Sequence, residues 1–215
     1  MTQISPSILG VDLEKMGDIL EKLEKSGADM VHVDIMDGVF VPNTSFDLET
    51  VKFIYEHTSL PLDVHLMVQR PSDLIEEYAK YSQYIGIHYE ADCNVKNDLI
   101  KIRDLDTKSC LVIKPKTAVR DIYNLLPYCD MVLVMSVEPG FGGQQFMDYS
   151  VDKVKELKHY IKENNLNVLI EIDGGINNNT AVSAVNSGVD VLVVGSYLFK
   201  DENLLSDKIS YFKSL

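Results

Sequence analysis

Tryptophan is absent from the 215 residues, and cysteine occurs only three times. Cys93, Cys110 and Cys129 form no CxxC pair, and their odd number argues against a disulfide framework. A reducing cytoplasm is therefore the expected location. Positive charge is also scarce: 20 Lys and Arg stand against 33 Asp and Glu, for a net charge of −13. That balance excludes nucleic acid as a partner, because phosphate backbones are held mainly by Lys and Arg. It does not exclude a small phosphorylated ligand, which local backbone dipoles can hold against the global field. No run approaches the roughly 20 apolar residues that span a bilayer, so no membrane association is expected. The opening Met1–Pro6 shows no basic segment followed by an apolar core, and no signal peptide is expected. Low-complexity tracts and long linkers are missing too, and residues 1–215 read as a single domain.

What is present is an alternation of short apolar runs with longer amphipathic ones. Strands are predicted at Ile4–Leu9, Met30–Ile35, Leu62–Met67, Tyr84–His88, Ser109–Ile113, Met131–Met135, Val168–Ile172 and Val191–Val194. The first helix carries Leu13, Met16, Leu20 and Leu23 at spacings of three and four behind a cap at Asp12. Further helices are predicted near Asp47–His57, Pro71–Tyr81, Val95–Leu105, Ala118–Leu125, Ser150–Asn164, Thr180–Asn186 and Leu204–Leu215. Eight strands, each followed by a helix, fit a parallel α/β sheet closed into a single (β/α)8 barrel, the TIM-barrel architecture. An open doubly wound sheet would usually bring a Gly-rich dinucleotide turn after the first strand, and Ile8-Leu9-Gly10-Val11-Asp12 is not one.

The strands alternate in a way that points to chemistry. In Val31-His32-Val33-Asp34-Ile35-Met36 one face is Val/Val/Ile and the other His/Asp/Met; Leu62-Asp63-Val64-His65-Leu66-Met67 repeats the pattern. Side chains alternate with a period of two, so each strand turns an apolar face to the helices and a polar one to the barrel axis. The same reading turns Ser5 with Ser7, His88 with Glu90, and Glu171 with Asp173 inward. His32, Asp34, His65 and Asp173 are expected toward the C-terminal strand ends, where barrel active sites are built. Two imidazoles and two carboxylates suit a borderline divalent ion, Zn²⁺, Fe²⁺, Mn²⁺ or Co²⁺. The competing reading is a buried His–Asp hydrogen-bond network without a metal; polar inner faces on three strands favour the metal site.

Glycines cluster at the ends of the last three strands: Pro139-Gly140-Phe141-Gly142-Gly143-Gln144, then Asp173-Gly174-Gly175, then Gly195-Ser196. Singly each is a turn. Together they suit an anion site of backbone N–H groups, as at phosphate sites of such barrels. Met36, Met67 and Met135 fall at one end of the second, third and sixth strands, where they either fill core gaps or wall a reaction centre.

These segments, from Ile4-Ser5-Pro6-Ser7 to Gly195-Ser196, resemble the ribulose-phosphate 3-epimerase family over nearly the whole chain. The most specific are His32–Gly38 with Phe40-Val41-Pro42-Asn43, Leu62–Met67, Met135–Gln144 and Glu171–Gly175. The resemblance implies a barrel of the ribulose-phosphate-binding type. It implies one divalent metal ion per subunit on His32, Asp34, His65 and Asp173, and proton exchange by Asp34 and Asp173. Ser7 and His65 are implied to touch the substrate, and Gly142, Gly143, Gly175, Gly195 and Ser196 the phosphate. Met36, Met67, Met135, Gln144 and Gly174 complete the expected substrate site. His88 matches a family histidine on the fourth strand without an assigned role. Lys116 and Gly10 depart from the family's usual residues, away from the implied ligands.

The implied activity interconverts D-ribulose 5-phosphate and D-xylulose 5-phosphate, in the cytoplasm and as a homo-oligomer. Inversion at C3 needs a proton to leave one face and return to the other, which suits two opposed carboxylates. Two alternatives stand beside it: a hexulose-phosphate (allulose 6-phosphate) 3-epimerase, and a phosphate-ligand-binding barrel without catalysis. A decarboxylase of the orotidine-phosphate type would need a lysine that Asp34-Ile35-Met36-Asp37-Gly38 lacks.

Overall fold

A computed structural model describes residues 2–215. Its strands are β1 (Gln3–Pro6), β2 (Val31–Met36), β3 (Leu62–Met67), β4 (Tyr84–His88), β5 (Lys108–Ile113), β6 (Met131–Met135), β7 (Leu169–Asp173) and β8 (Val191–Val194). All pair in parallel in the order β1-β8-β7-β6-β5-β4-β3-β2. The seam between β1 and β2 is narrow: a bridge joins Ser7 to His32, and the Ile8 N–H donates to the His32 carbonyl at 3.3 Å. The result is a (β/α)8 barrel.

The helices are α1 (Met16–Lys25), α2 (Leu48–Glu56), α3 (Ile75–Tyr78), α4 (Val95–Asp104), α5 (Ser150–Glu163), α6 (Asn178–Ser187), α7 (Ser196–Phe199) and α8 (Leu205–Lys213). Their apolar stripes bury Met16, Leu20, Leu23, Val154 and Leu157 against the outward faces of the strands, including Val31, Val33, Val64 and Leu66. Asp47 caps α2 through the Thr50 N–H, and Asn94 caps α4 through the Asn97 N–H. A reciprocal box between Asn177 and Thr180 starts α6 directly after the Gly174-Gly175 turn.

Three expectations need correction. No α-helix forms at Ala118–Leu125; 3-10 turns occupy Val119–Ile122 and Leu126–Tyr128. Val119, Ile122 and Leu125 are buried and recur every three residues, the 3-10 period, and Pro127 prevents extension. The Pro71–Tyr81 helix is split, with one turn of α-helix at α3 between 3-10 turns at Pro71–Asp73 and Ala79–Tyr81. Leu13 lies outside the buried stripe of α1; it is 58% exposed on a 3-10 turn and lines the main cavity. Elsewhere the predicted strands and helices appear with ends shifted by a few residues, as at β1, which stops at Pro6.

One device recurs at the N-terminal end of the barrel. Asp29, Asp130 and Asp190 each immediately precede or closely precede a strand and accept an N–H from the neighbouring strand. The donors are Ile4, Ser109 and Ile170, each at 2.9 Å. Each carboxylate also faces a cation from the helical layer: Lys213 at 2.8 Å, Arg103 at 3.6 Å and Lys158 at 2.8 Å. The three half-buried carboxylates thus tie strand, next strand and helix together far from the opposite mouth. Asp190→Ala is expected to cost about 1–3 kcal/mol, the worth of a charge-assisted hydrogen bond. Urea unfolding should show the lower midpoint while kcat stays at the wild-type value.

Candidate active site

The inward faces of β2, β3 and β7 converge on one charged cluster. His32 and Asp34 share a face of β2, His65 pairs in register beside Asp34 on β3, and Asp173 ends β7. One ligand atom from each of these four lies within 4.8 Å of the other three. Asp34 is the hub. Its Oδ1 lies 3.0 Å from His65 Nδ1 and 3.3 Å from His32 Nε2, and its Oδ2 accepts from Ser7 Oγ at 2.9 Å.

His32 sits deeper than the sequence suggests, second in its strand and fully buried rather than near the C-terminal end. Its Nδ1 meets Asp63 Oδ2 at 2.6 Å, and Ser5 Oγ donates to the same oxygen at 3.1 Å. Below them Glu171 is fully buried, its carboxyl beside that of Asp63. Burial and then the charge of Asp63 push its acid well above the ordinary carboxylate range, which favours the protonated form. Asp63 was legible as an inward residue from its period-two spacing with His65; its service to His32 was not.

The protein groups alone divide the two mouth carboxylates. Burial disfavours charge on Asp34, but His32 and His65 outweigh it and hold Asp34 far below its ordinary value. Asp173 is half-buried; crowding by protein and then the negative charge of Asp34 push it up to about 6, against opposition from His32 and His65. Two carboxyl groups with opposite protonation preferences face one space.

The donors suit a divalent ion. Because His32 Nδ1 is engaged with Asp63, its Nε2 lone pair is left toward the cluster, and this buried atom has no hydrogen-bond partner. Two nitrogens and two carboxylates at this spacing are the donor set of a borderline ion rather than Mg²⁺.

Above the cluster opens a cavity of about 790 Å³, lined by Ser7, Asp34 and Asp173 among polar groups and by Met36, Met67 and Met135 among apolar ones. The methionines are almost wholly buried, so they fill the core and wall the cavity at once. The glycine segments line the far side: Gly142 and Gly143, Gly174 and Gly175, then Gly195 and Ser196. Gly175 has φ +64°, and a Cβ there would stand 2.5 Å from the Phe146 backbone nitrogen. Gln144 lines the cavity too, but its amide nitrogen donates to the carbonyls of Glu138 and Phe141 at 2.7 and 2.9 Å, bracing its own loop.

Several supports were not foreseen. Asp37 accepts from the N–H groups of Val39, Phe40 and Gln69, at 2.8, 2.8 and 2.7 Å, and so joins the loops after β2 and β3. Asn43 donates to the Gly140 carbonyl at 3.2 Å, bracing the glycine loop against the loop after β2. Ser45 Oγ donates to the Asp34 carbonyl at 2.6 Å and accepts from the Met36 N–H at 2.9 Å, fixing the end of β2. These contacts span loops, and no local pattern announces them.

Comparison with known proteins agrees with this arrangement. A tryptophan synthase alpha-subunit variant from Pyrococcus furiosus superposes with a TM-score of 0.73 at 14% identity, covering 99% of this chain and 98% of that one. A 3-hexulose-6-phosphate synthase structure gives 0.70 at 10% identity, covering 99% of each chain. At such identities the likeness is one of fold. The ribulose-phosphate 3-epimerases of Chlamydia pneumoniae and Bacillus subtilis (strain 168) are 39% and 38% identical to this chain. The first match covers 96% of this chain and 92% of the relative, the second 93% of each. The model of the ribulose-phosphate 3 epimerase family matches residues 3–199. With its sequence matched over nearly its whole length, the chain belongs to the ribulose-phosphate 3-epimerase family.

Proposed function

We propose that this chain interconverts D-ribulose 5-phosphate and D-xylulose 5-phosphate by inverting C3. The observation that carries the reading is the pair Asp34 and Asp173, brought to one cavity and one His/Asp cluster from β2 and β7. The carbonyl at C2 acidifies the C3 hydrogen. One carboxylate removes that proton, leaving an enediolate, and the other delivers a proton to the opposite face. Which acts as base depends on the epimer bound.

His32, Asp34, His65 and Asp173 would hold a single divalent ion, Fe²⁺, Mn²⁺, Co²⁺ or Zn²⁺. Such an ion supplies Lewis-acid stabilisation of the negative charge developing on the substrate oxygens. Ser7, which lines the cavity, orients the sugar beside Asp34, while Met36, Met67 and Met135 keep water from the reacting carbon. Backbone N–H groups of Gly142, Gly143, Gly175, Gly195 and Ser196 grip the phosphate, and Gln144 and Gly174 shape that grip. Anchoring the phosphate places C3 between the two acids.

Three free cysteines suit a reducing cytoplasm, and among the described residues no helix is long and apolar enough to cross a membrane. Homo-oligomerisation is proposed on family likeness.

Asp34→Asn and Asp173→Asn are each expected to lower kcat by roughly 10²–10⁴ or more, with wild-type circular dichroism. Near-wild-type turnover by either variant, read in a coupled assay, would contradict the two-acid mechanism. A strong chelator should abolish activity, and adding back Fe²⁺, Mn²⁺, Co²⁺ or Zn²⁺ should restore it; full activity in protein shown metal-free by elemental analysis would contradict the metal role. Gly175→Ala should raise KM for the pentulose phosphate about tenfold or more, because the strained, crowded turn must shift. An unchanged KM would remove that turn from the phosphate grip.

A further inference from the structure

His65 and His32 offer different nitrogens to the cluster, and each can do so only if its other nitrogen carries the proton. For His32 the arrangement is direct, since Nδ1 is held by Asp63 at 2.6 Å. For His65 the partner is another imidazole: His65 Nε2 lies 2.9 Å from His88 Nε2. Two such nitrogens share one proton, and the contact itself does not say which holds it.

The answer comes from the far side of His88. Its Nδ1 lies 3.2 Å from Glu90 Oε2. The other Glu90 oxygen accepts from the Lys114 N–H at 3.0 Å and from Thr117 Oγ1. Burial opposes charge on Glu90, but the hydrogen bonds from His88, Thr117 and the Lys114 N–H outweigh it and hold the carboxyl down at about 2. An ionised carboxylate only accepts, so His88 Nδ1 must donate. Neutral His88 then accepts at Nε2, and His65 must carry its proton on Nε2. The lone pair of His65 Nδ1 is left facing Asp34 Oδ1 at 3.0 Å, an unfavourable approach of two acceptors unless a cation lies between them.

His88 has no alternative partner in water. It is fully buried, with the Phe40 ring at 4.7 Å and the His65 ring at 5.0 Å between centroids. We infer that Glu90 and His88 are positioning residues that set the tautomer of His65, so that Nδ1 rather than Nε2 is presented to the metal. This rests on the metal-binding reading proposed above. It assigns a purpose to the fourth-strand histidine and to a glutamate on the loop after β4.

Glu90→Gln tests the relay with little change of shape. The amide oxygen must still serve the Lys114 N–H, so its nitrogen turns toward His88 and donates. His88 Nδ1 becomes the acceptor, Nε2 gains the proton, and the His65 tautomer is inverted. Co²⁺ affinity, measured by chelator competition, should fall about 10–100-fold, the usual loss when a partner behind a metal ligand is removed. The visible spectrum of any Co²⁺ bound should change. A companion pair guards against a folding defect: His88→Gln retains an acceptor for the His65 Nε2–H and should bind Co²⁺ more tightly than His88→Leu.

In the Zn²⁺-loaded wild type, nitrogen NMR of labelled histidine should show His65 metallated at Nδ1 and protonated at Nε2. Zinc on His65 Nε2, or Glu90→Gln affinity within twofold of wild type, would overturn the relay. A wild type that binds neither Co²⁺ nor Zn²⁺ would instead overturn the metal reading on which it rests.

Discussion

Asp34 is 3% exposed yet has two imidazoles and a serine hydroxyl directed at its carboxylate. Removing a carboxylate from water costs several kcal/mol unless partners compensate. Those partners must in turn be held in place, and the rest of the barrel mouth follows from that need. Asp63 fixes His32, His88 fixes His65, and Ser45 fixes the strand end that carries Asp34 itself. Charge at the centre is thus stabilised by a shell of oriented polar groups, and apolar packing surrounds that shell.

The same centre explains the asymmetry between the two acids. Asp34 lies beside the imidazoles of His32 and His65 and the Ser7 hydroxyl and holds its charge. Asp173 comes from the other side, where burial and then the like charge of Asp34 raise its proton affinity. A barrel can build such a pair because strands distant in sequence deliver their ends to one mouth. The opposite end is used differently: Asp29, Asp130 and Asp190 tie strands to helices there. Stability and chemistry occupy different ends of the same strands.

Much of this was legible in the residues, for a physical reason. Period-two alternation in Val31–Met36 and Leu62–Met67 can be satisfied only by an apolar outer face and a polar inner one, so which side chains meet inside the barrel follows from the strands. The parallel barrel followed from eight apolar runs separated by helical patterns. Where the pattern suits two structures it does not decide: Val119, Ile122 and Leu125, at spacings of three, serve an α-helix and 3-10 turns alike. Leu13 fits the spacing of α1 yet belongs to the cavity, because the helix proper begins three residues later. The relay from Glu90 through His88 to His65, and the brace from Asn43 to Gly140, depend on contacts between loops that no spacing encodes.

Inversion by Asp34 and Asp173 requires two different groups to handle the proton on opposite faces of C3. Turnover of D-ribulose 5-phosphate in D₂O, sampled by NMR during the first few per cent of conversion, addresses it directly. Two opposed acids should leave deuterium at C3 of the newly formed D-xylulose 5-phosphate and protium still at C3 of the unreacted substrate. Product that retains the original proton, or substrate that gains deuterium as fast as product forms, would contradict it.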